Sequence, residues 1–124
     1  VMIVLDYQDR RPLYEQVEEK FRHLILSGAL EAGSRMPSVR QLAMELSINP
    51  NTIQRAYMQL EQEGLIYPVK GRGNFIAQSE EIRRISIESY EKELKALVCK
   101  GKNLGIQEEE QIHIVRTCYE EGDL

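Results

Sequence analysis

A chain of 124 residues, 42% hydrophobic and 29% charged, suffices for one compact domain with a small appendage. Its net charge of −4 argues against a nucleic-acid partner only if the charge is spread evenly, and it is not. Positions 1–79 carry nine Lys/Arg and nine Asp/Glu, while positions 80–124 carry seven and eleven, so the excess acid belongs to the C-terminal part.

The longest apolar run, Val1 to Leu5, is far too short to span a membrane and lacks the layout of a signal peptide. The expected location is therefore the cytoplasm. Met2-Ile3-Val4-Leu5 reads as a short extended segment against the body, followed by a loop through Arg11. Pro12 suits the first position of a helix, where its missing N–H costs nothing. Leu13, Val17, Phe21, Leu24 and Ile25 form one apolar helical stripe, with Glu15, Gln16, Glu18, Glu19, Lys20 and Arg22 off it. Gly28 is the left-handed stop, and Gly33 a turn residue with positive φ.

Ser38 with Gln41 three positions on is a capping-box pattern opening a second helix, whose core face is Val39, Leu42, Ala43 and Leu46. Asn49 then Pro50 mark the start of a third helix, with Ile48 and Ile53 at staple positions. Ile53, Ala56, Tyr57 and Leu60 give its core face, and Gly64 ends it. Two short amphipathic helices joined by a tight turn, the second opening with polar side chains, predict a helix-turn-helix. Leu65-Ile66-Tyr67 and Asn74-Phe75-Ile76-Ala77 flank Lys70-Gly71-Arg72-Gly73, which predicts a β-hairpin with a basic tip. The fold class is mainly α with a small β-hairpin, a winged helix-turn-helix over residues 1–78 followed by a helical tail over 79–124.

From Glu80 to Lys100 there is no Gly or Pro, and Ile87, Tyr90, Leu94 and Leu97 recur at helix-seam spacing. A break is expected from Gly101 to Gly105, then a last helix opening on acidic residues that suit its dipole. Ile112, Val115 and Tyr119 make its apolar face. Two such narrow stripes need each other and a second subunit, so these seven residues are the expected dimerisation surface.

Catalytic chemistry finds no support. Cys99 and Cys118 form no C-x-x-C pair and have no His at ligand spacing, so they read as reduced thiols. His23 and His113 are isolated. Gly71-Arg72-Gly73 is too short for a phosphate loop and precedes no helix. No enzyme activity, metal or cofactor is expected, and the sequence leaves any small-molecule effector open.

The polar residues suit double-stranded DNA. On the wheel of the third helix Asn51, Arg55 and Met58 face outward, flanked by Thr52 and Gln54. Asn and Gln pair with adenine and Arg with guanine in the major groove. The helix start enters the groove, which favours Asn49 to Arg55. Arg35, Ser38 and Arg40 are placed for phosphates, and Lys70 and Arg72 for the flanking backbone or minor groove. The competing reading is a winged helix used only for protein–protein contact, against which the basic wing and the polar helix start both argue.

Pro12-Leu13-Tyr14-Glu15-Gln16-Val17, Leu26-Ser27-Gly28-Ala29-Leu30, Met36-Pro37-Ser38-Val39-Arg40-Gln41-Leu42-Ala43, the Asn51-to-Ile66 segment and Gly71-Arg72-Gly73-Asn74-Phe75-Ile76 together resemble the N-terminal domain of GntR-family bacterial transcription regulators. The resemblance covers about residues 11–77. It implies a winged helix that binds an inverted-repeat operator as a homodimer. It also implies DNA contacts at Arg40, Asn49, Asn51, Thr52, Gln54 and Gly71. Many members carry Glu where this chain has Arg55, which ranks Arg55 below its neighbours. Many carry a base-reading Arg where this chain has Pro50, so its base preference is expected to differ from theirs. The short two-helix tail is similar to that of the YtrA-like subfamily, in which the tail serves dimerisation. A repressor is the expected role.

Overall fold

The computed structural model describes residues 3–121. Val1 and Met2, at the head of the expected extended segment, and the last three residues of the expected tail lie outside them. The described elements are α1 (Leu13–Leu26), α2 (Val39–Leu46), α3 (Pro50–Gln62), β1 (Ile66–Val69), β2 (Gly73–Ile76), α4 (Ser79–Asn103) and α5 (Glu108–Glu121). The chain divides into two compact units, one ending at Ser86 and one beginning at Ile87.

The first unit is a winged helix. Val17, Phe21 and Ile25 of α1 are buried against Leu42 and Ala43 of α2 and Ile53, Ala56, Tyr57 and Leu60 of α3. Phe21 meets Tyr57 edge-on, with ring centroids 6.0 Å apart and planes at 85°. Each of these large side chains contributes roughly 1.5–3 kcal/mol through burial. Leu65, Ile66 and Ile76 close the core from the hairpin, and Ile82 and Ile85 from the first turns of α4.

The hairpin pairs Ile66 with Ile76 and Val69 with Gly73, leaving Lys70, Gly71 and Arg72 as the tip. Both strands lie one or two residues from their predicted bounds, and β1 includes Pro68. An edge strand tolerates a proline, which removes a donor that no neighbour needs. On its other side β2 gains a rung that periodicity does not reveal. Arg35 bridges Phe75, with Met36 N–H donating to Asn74 O at 2.8 Å and Ile76 N–H to Ser34 O at 2.8 Å.

Gln16, expected on the solvent side of α1, is only 2% exposed. Its amide holds the N-terminal segment: Asp6 N–H donates to Oε1 at 2.9 Å, and Nε2 donates to Asp6 O at 3.0 Å. That brace seats Ile3 in the core. The segment is irregular rather than a strand. Pro12 is the N-cap of α1 rather than its first residue.

The second unit begins within α4, which runs through Gly101 where a break was expected. A Cβ on Gly101 would lie 2.7 Å from Gln111 Nε2, so glycine leaves room for the Gln111 amide at this point. Gln111 Nε2 also donates to Val98 O at 3.2 Å. The chain turns instead at Gly105, whose φ is +85°. In this unit Gly101 is buried, but Ile87, Tyr90, Leu94, Leu97, Ile112, Val115 and Tyr119 are all exposed.

Candidate nucleic-acid interface

The geometry of the interface begins with the turn between α2 and α3. Ser38 Oγ caps α2 by accepting from Gln41 N–H at 3.1 Å. The reciprocal half of the capping box is absent, because Gln41 Nε2 donates forward to Glu45 at 3.3 Å. Ser47 ends α2 in the left-handed region with φ 56°, and Ile48 N–H donates back to Ala43 O at 3.0 Å. The tight turn here is as expected, but its left-handed residue is not, because left-handed caps are signalled by Gly or Asn and Ser47 is neither.

Two residues later Asn49 Oδ1 accepts from Asn51 N–H at 2.8 Å, and α3 starts at Pro50. Tyr57 reaches from the core side of α3 to donate its hydroxyl to Pro37 O at 2.7 Å. Burial raises its pKa, so the phenol stays protonated and keeps donating. The middle of α3 is therefore tied to the start of α2 from inside, and its own start is capped from outside.

What remains outside is the polar set. Asn49, Asn51, Gln54 and Met58 are exposed, and Thr52 is half-buried. Arg40 lies exposed on the first turn of α2. Lys70, Gly71 and Arg72 are exposed at the wing tip, where Arg72 N–H donates to Val69 O at 2.9 Å and Gly71 takes φ +78°. Arg35 lies beside Gly73, where a Cβ would meet its guanidinium at 3.4 Å. Among the described residues, Arg35, Arg40, Lys70 and Arg72 take part in no ion pair, whereas Arg11, Arg22 and Arg84 do. The unit thus leaves uncompensated the cations nominated for phosphate.

Arg55 is the exception among the candidates. Its guanidinium carbon lies 3.8 Å from the centroid of the Tyr14 ring on α1. The sequence reading did not single out Tyr14, which lies beside the apolar stripe of α1. At the other end of the α1–α3 contact, Arg22 donates to both carboxylate oxygens of Glu63, at 2.8 and 2.7 Å, and also binds Glu18. Burial, then the neighbouring Glu63, raises the Glu18 pKa. Burial opposes the charge on Glu63 too, but the bonds from Arg22 and Glu18 outweigh it and leave its pKa lowered.

No helix among the described residues is long and apolar enough to cross a membrane, and no group of metal-binding side chains occurs among them. A cleft of about 720 Å³ between the N-terminal segment and α1, lined in part by Ile3, Val4, Lys20 and His23, includes none of the residues nominated for DNA.

The family described as "Bacterial regulatory proteins, gntR family" matches residues 13–76, from α1 to the end of the wing. The "HTH-type transcriptional repressor YtrA" of Bacillus subtilis is 34% identical over 114 residues, 90% of this chain and 87% of that protein. A "GntR family transcriptional regulator from Listeria monocytogenes" superposes with a TM-score of 0.70 at 33% identity, covering 91% of this chain and 98% of that one. AraR(DBD), solved in complex with operator ORE1, has a TM-score of 0.52 at 30% identity over 60% of this chain and 90% of its own. The chain belongs to the gntR family of bacterial regulatory proteins and is a DNA-binding transcription regulator of winged helix-turn-helix build, not an enzyme.

Proposed function

We propose that the chain acts in the cytoplasm as a homodimeric repressor, with residues 1–78 reading one half of an inverted-repeat operator and residues 79–124 holding two copies together. The observation that carries this reading is the meeting of two features in one unit. The capped helix start bears exposed Asn49, Asn51 and Gln54, and the cations Arg40, Lys70 and Arg72 of the same unit take part in no ion pair among the described residues.

Asn51, Thr52 and Gln54 take base edges in the major groove. The two capping residues keep a free donor each: Ser38 Oγ accepts from Gln41 and Asn49 Oδ1 from Asn51, so the Ser38 O–H and the Asn49 NH₂ remain for phosphate oxygens. The helix N-termini beneath them favour the same negative charge. Arg35 and Arg40 set register on the backbone. Gly71 brings the wing tip close, with Lys70 and Arg72 on either side.

The printed name of the YtrA relative supports repression, and the AraR(DBD) complex supports operator contact by this fold. The exposed stripes of α4 and α5 support a second copy, since they leave large apolar side chains in water.

Selection of bound duplexes from a random-sequence pool tests the reading. The expected product is an inverted repeat whose half-sites are spaced by whole helical turns, about 10–10.5 base pairs each. Arg40→Ala should weaken all duplexes alike and flatten the salt dependence. Gln54→Ala should relax preference at particular base pairs by about 1–3 kcal/mol. Failure to retain any duplex at low salt would overturn the proposal in favour of a protein-contact module.

A further inference from the structure

We propose that Arg55 does not read DNA but aims the reading end of α3 through its stack on Tyr14, so that Tyr14 and Arg55 are a coupled pair of positioning residues. The inference rests on the DNA-binding reading above and assigns two residues a role within it.

Three ties join α1 to α3, and they run in the same order along both helices. Tyr14 holds Arg55, Phe21 meets Tyr57, and Arg22 holds Glu63. The last two fix the middle and the C-terminal end of α3, which lie farthest from its reading start. Beside the apolar packing of Val17 and Ile53 in the core, the first is the tie nearest the half that bears Asn51 and Gln54. The remaining restraint there comes from the turn, through the Asn49 cap and the Tyr57 bond to Pro37. The cap holds the helix start, and the Tyr57 bond ties the middle of the helix to Pro37 from its core side. The Tyr14 ring adds a tie at exposed Arg55, away from the buried face of the helix.

The chemistry suits the role. Tyr14 packs partly buried against the core, so its ring is a fixed platform. Arg55 is exposed and has no carboxylate partner among the described ion pairs, so the ring face is what holds its guanidinium. A guanidinium seated 3.8 Å above a ring has its planar face occupied. Its N–H edge stays free, so the stack ties Arg55 to α1 without using its donors, and the readouts below separate this tie from a base contact.

The test is a double-mutant cycle on the tightest duplex selected with the wild-type chain, read as affinity, salt slope and base preference. Arg55→Gln and Tyr14→Leu should each weaken binding by about two- to fivefold, the size of an exposed cation–π contact. The double variant should be no worse than either single one. The slope of log affinity against log salt should be unchanged in Arg55→Gln. A lost phosphate contact would lower it by about 0.9. Arg55→Lys and Tyr14→Phe, which keep the cation and the ring, should restore most of the affinity.

Thermal melting of Tyr14→Leu separates loss of aim from loss of fold. Should that variant unfold, Tyr14→Phe with Arg55→Gln and Arg55→Lys still decides between stacking and base contact. The inference is overturned if the single effects add, if Arg55→Gln lowers the salt slope, or if it changes preference at one base pair only. If the wild-type chain selects no duplex, the DNA-binding reading itself has failed, which is a different result.

Discussion

The two units solve the burial of apolar side chains in opposite ways. In the unit that ends at Ser86, Val17, Phe21, Ile53, Leu60 and Leu65 are 0% exposed, and each large apolar residue of the helix stripes has a neighbour within the same unit. In the unit that begins at Ile87, Tyr90 is 61% exposed, Leu97 64% and Tyr119 84%, and Gly101 is the buried residue. The first therefore has its own source of stability. The second has regular helices with nothing behind their apolar faces, and helices of this kind in water gain most of their stability from what packs on that face. On the proposed homodimer reading, a head with its own core joined to a tail completed by a second copy makes the contact with a second half-site depend on association.

The largest expected effect breaks the tail and spares the head. Leu94→Asp combined with Leu97→Asp places two carboxylates on the α4 stripe. On the homodimer reading the chain becomes monomeric in sedimentation, and affinity for a two-half-site duplex falls by about 10²- to 10⁴-fold, the range set by loss of the linked second site. The melting transition of the head should stay where it was. Retention of the dimer and of full affinity would show that the stripe has another purpose.

The same contrast explains what could be read from the sequence. Where local signals and the core agree, as at Asn49-Pro50 and along Ile53, Ala56, Tyr57 and Leu60, the helix bounds and its buried face are those expected. The wing was legible because two β-prone runs flank Gly71 and Gly73. Long-range polar contacts were not. Gln16 lies off the apolar stripe, and only its pairing with Asp6, ten positions earlier, makes it a core residue. Arg55 has an outward wheel angle suited to DNA, and nothing in α3 alone reveals the Tyr14 ring beside it. Gly101 resembles a helix stop, because glycine commonly ends helices. Its role in admitting Gln111 depends on a helix the chain reaches only later.

An intermediate effect sharpens the account of the head. Gln16→Leu keeps side-chain bulk but leaves Asp6 N–H without its acceptor, while Asp6 O keeps the bond from Asp9 N–H. Losing a part-buried hydrogen bond costs about 0.5–1.5 kcal/mol. The head should melt earlier by that amount, and proteolysis should open the chain between Leu5 and Arg11. An unchanged melt with an intact N-terminal segment would mean that Ile3 alone anchors it.

The smallest effect lies where Arg22 faces two carboxylates, and it is read through pH. Glu18 has a folded pKa above its ordinary 4.5, first because it is buried and next because Glu63 is beside it. Above 4.5 the unfolded chain carries that charge easily and the folded chain does not, so Glu18 weakens the fold as pH rises through this window. Glu63 behaves in the opposite way. Its lowered pKa contributes stability above 4.5 that is lost as pH falls through the folded value. The pair alone therefore favours a pH near 4.5, where Glu18 is protonated and donates to an ionised Glu63. Glu18→Gln fixes that donor without the charge. Thermal melts from neutral to acid pH should show the variant slightly more stable near pH 7, by under about 1 kcal/mol as befits a partly exposed pair, and flat down to 4.5. The acid-side loss, which belongs to Glu63, should persist. A variant that is less stable than wild type by the same amount at every pH would mean that Glu18 acts as the charged partner of Arg22 rather than as a proton-carrying neighbour of Glu63.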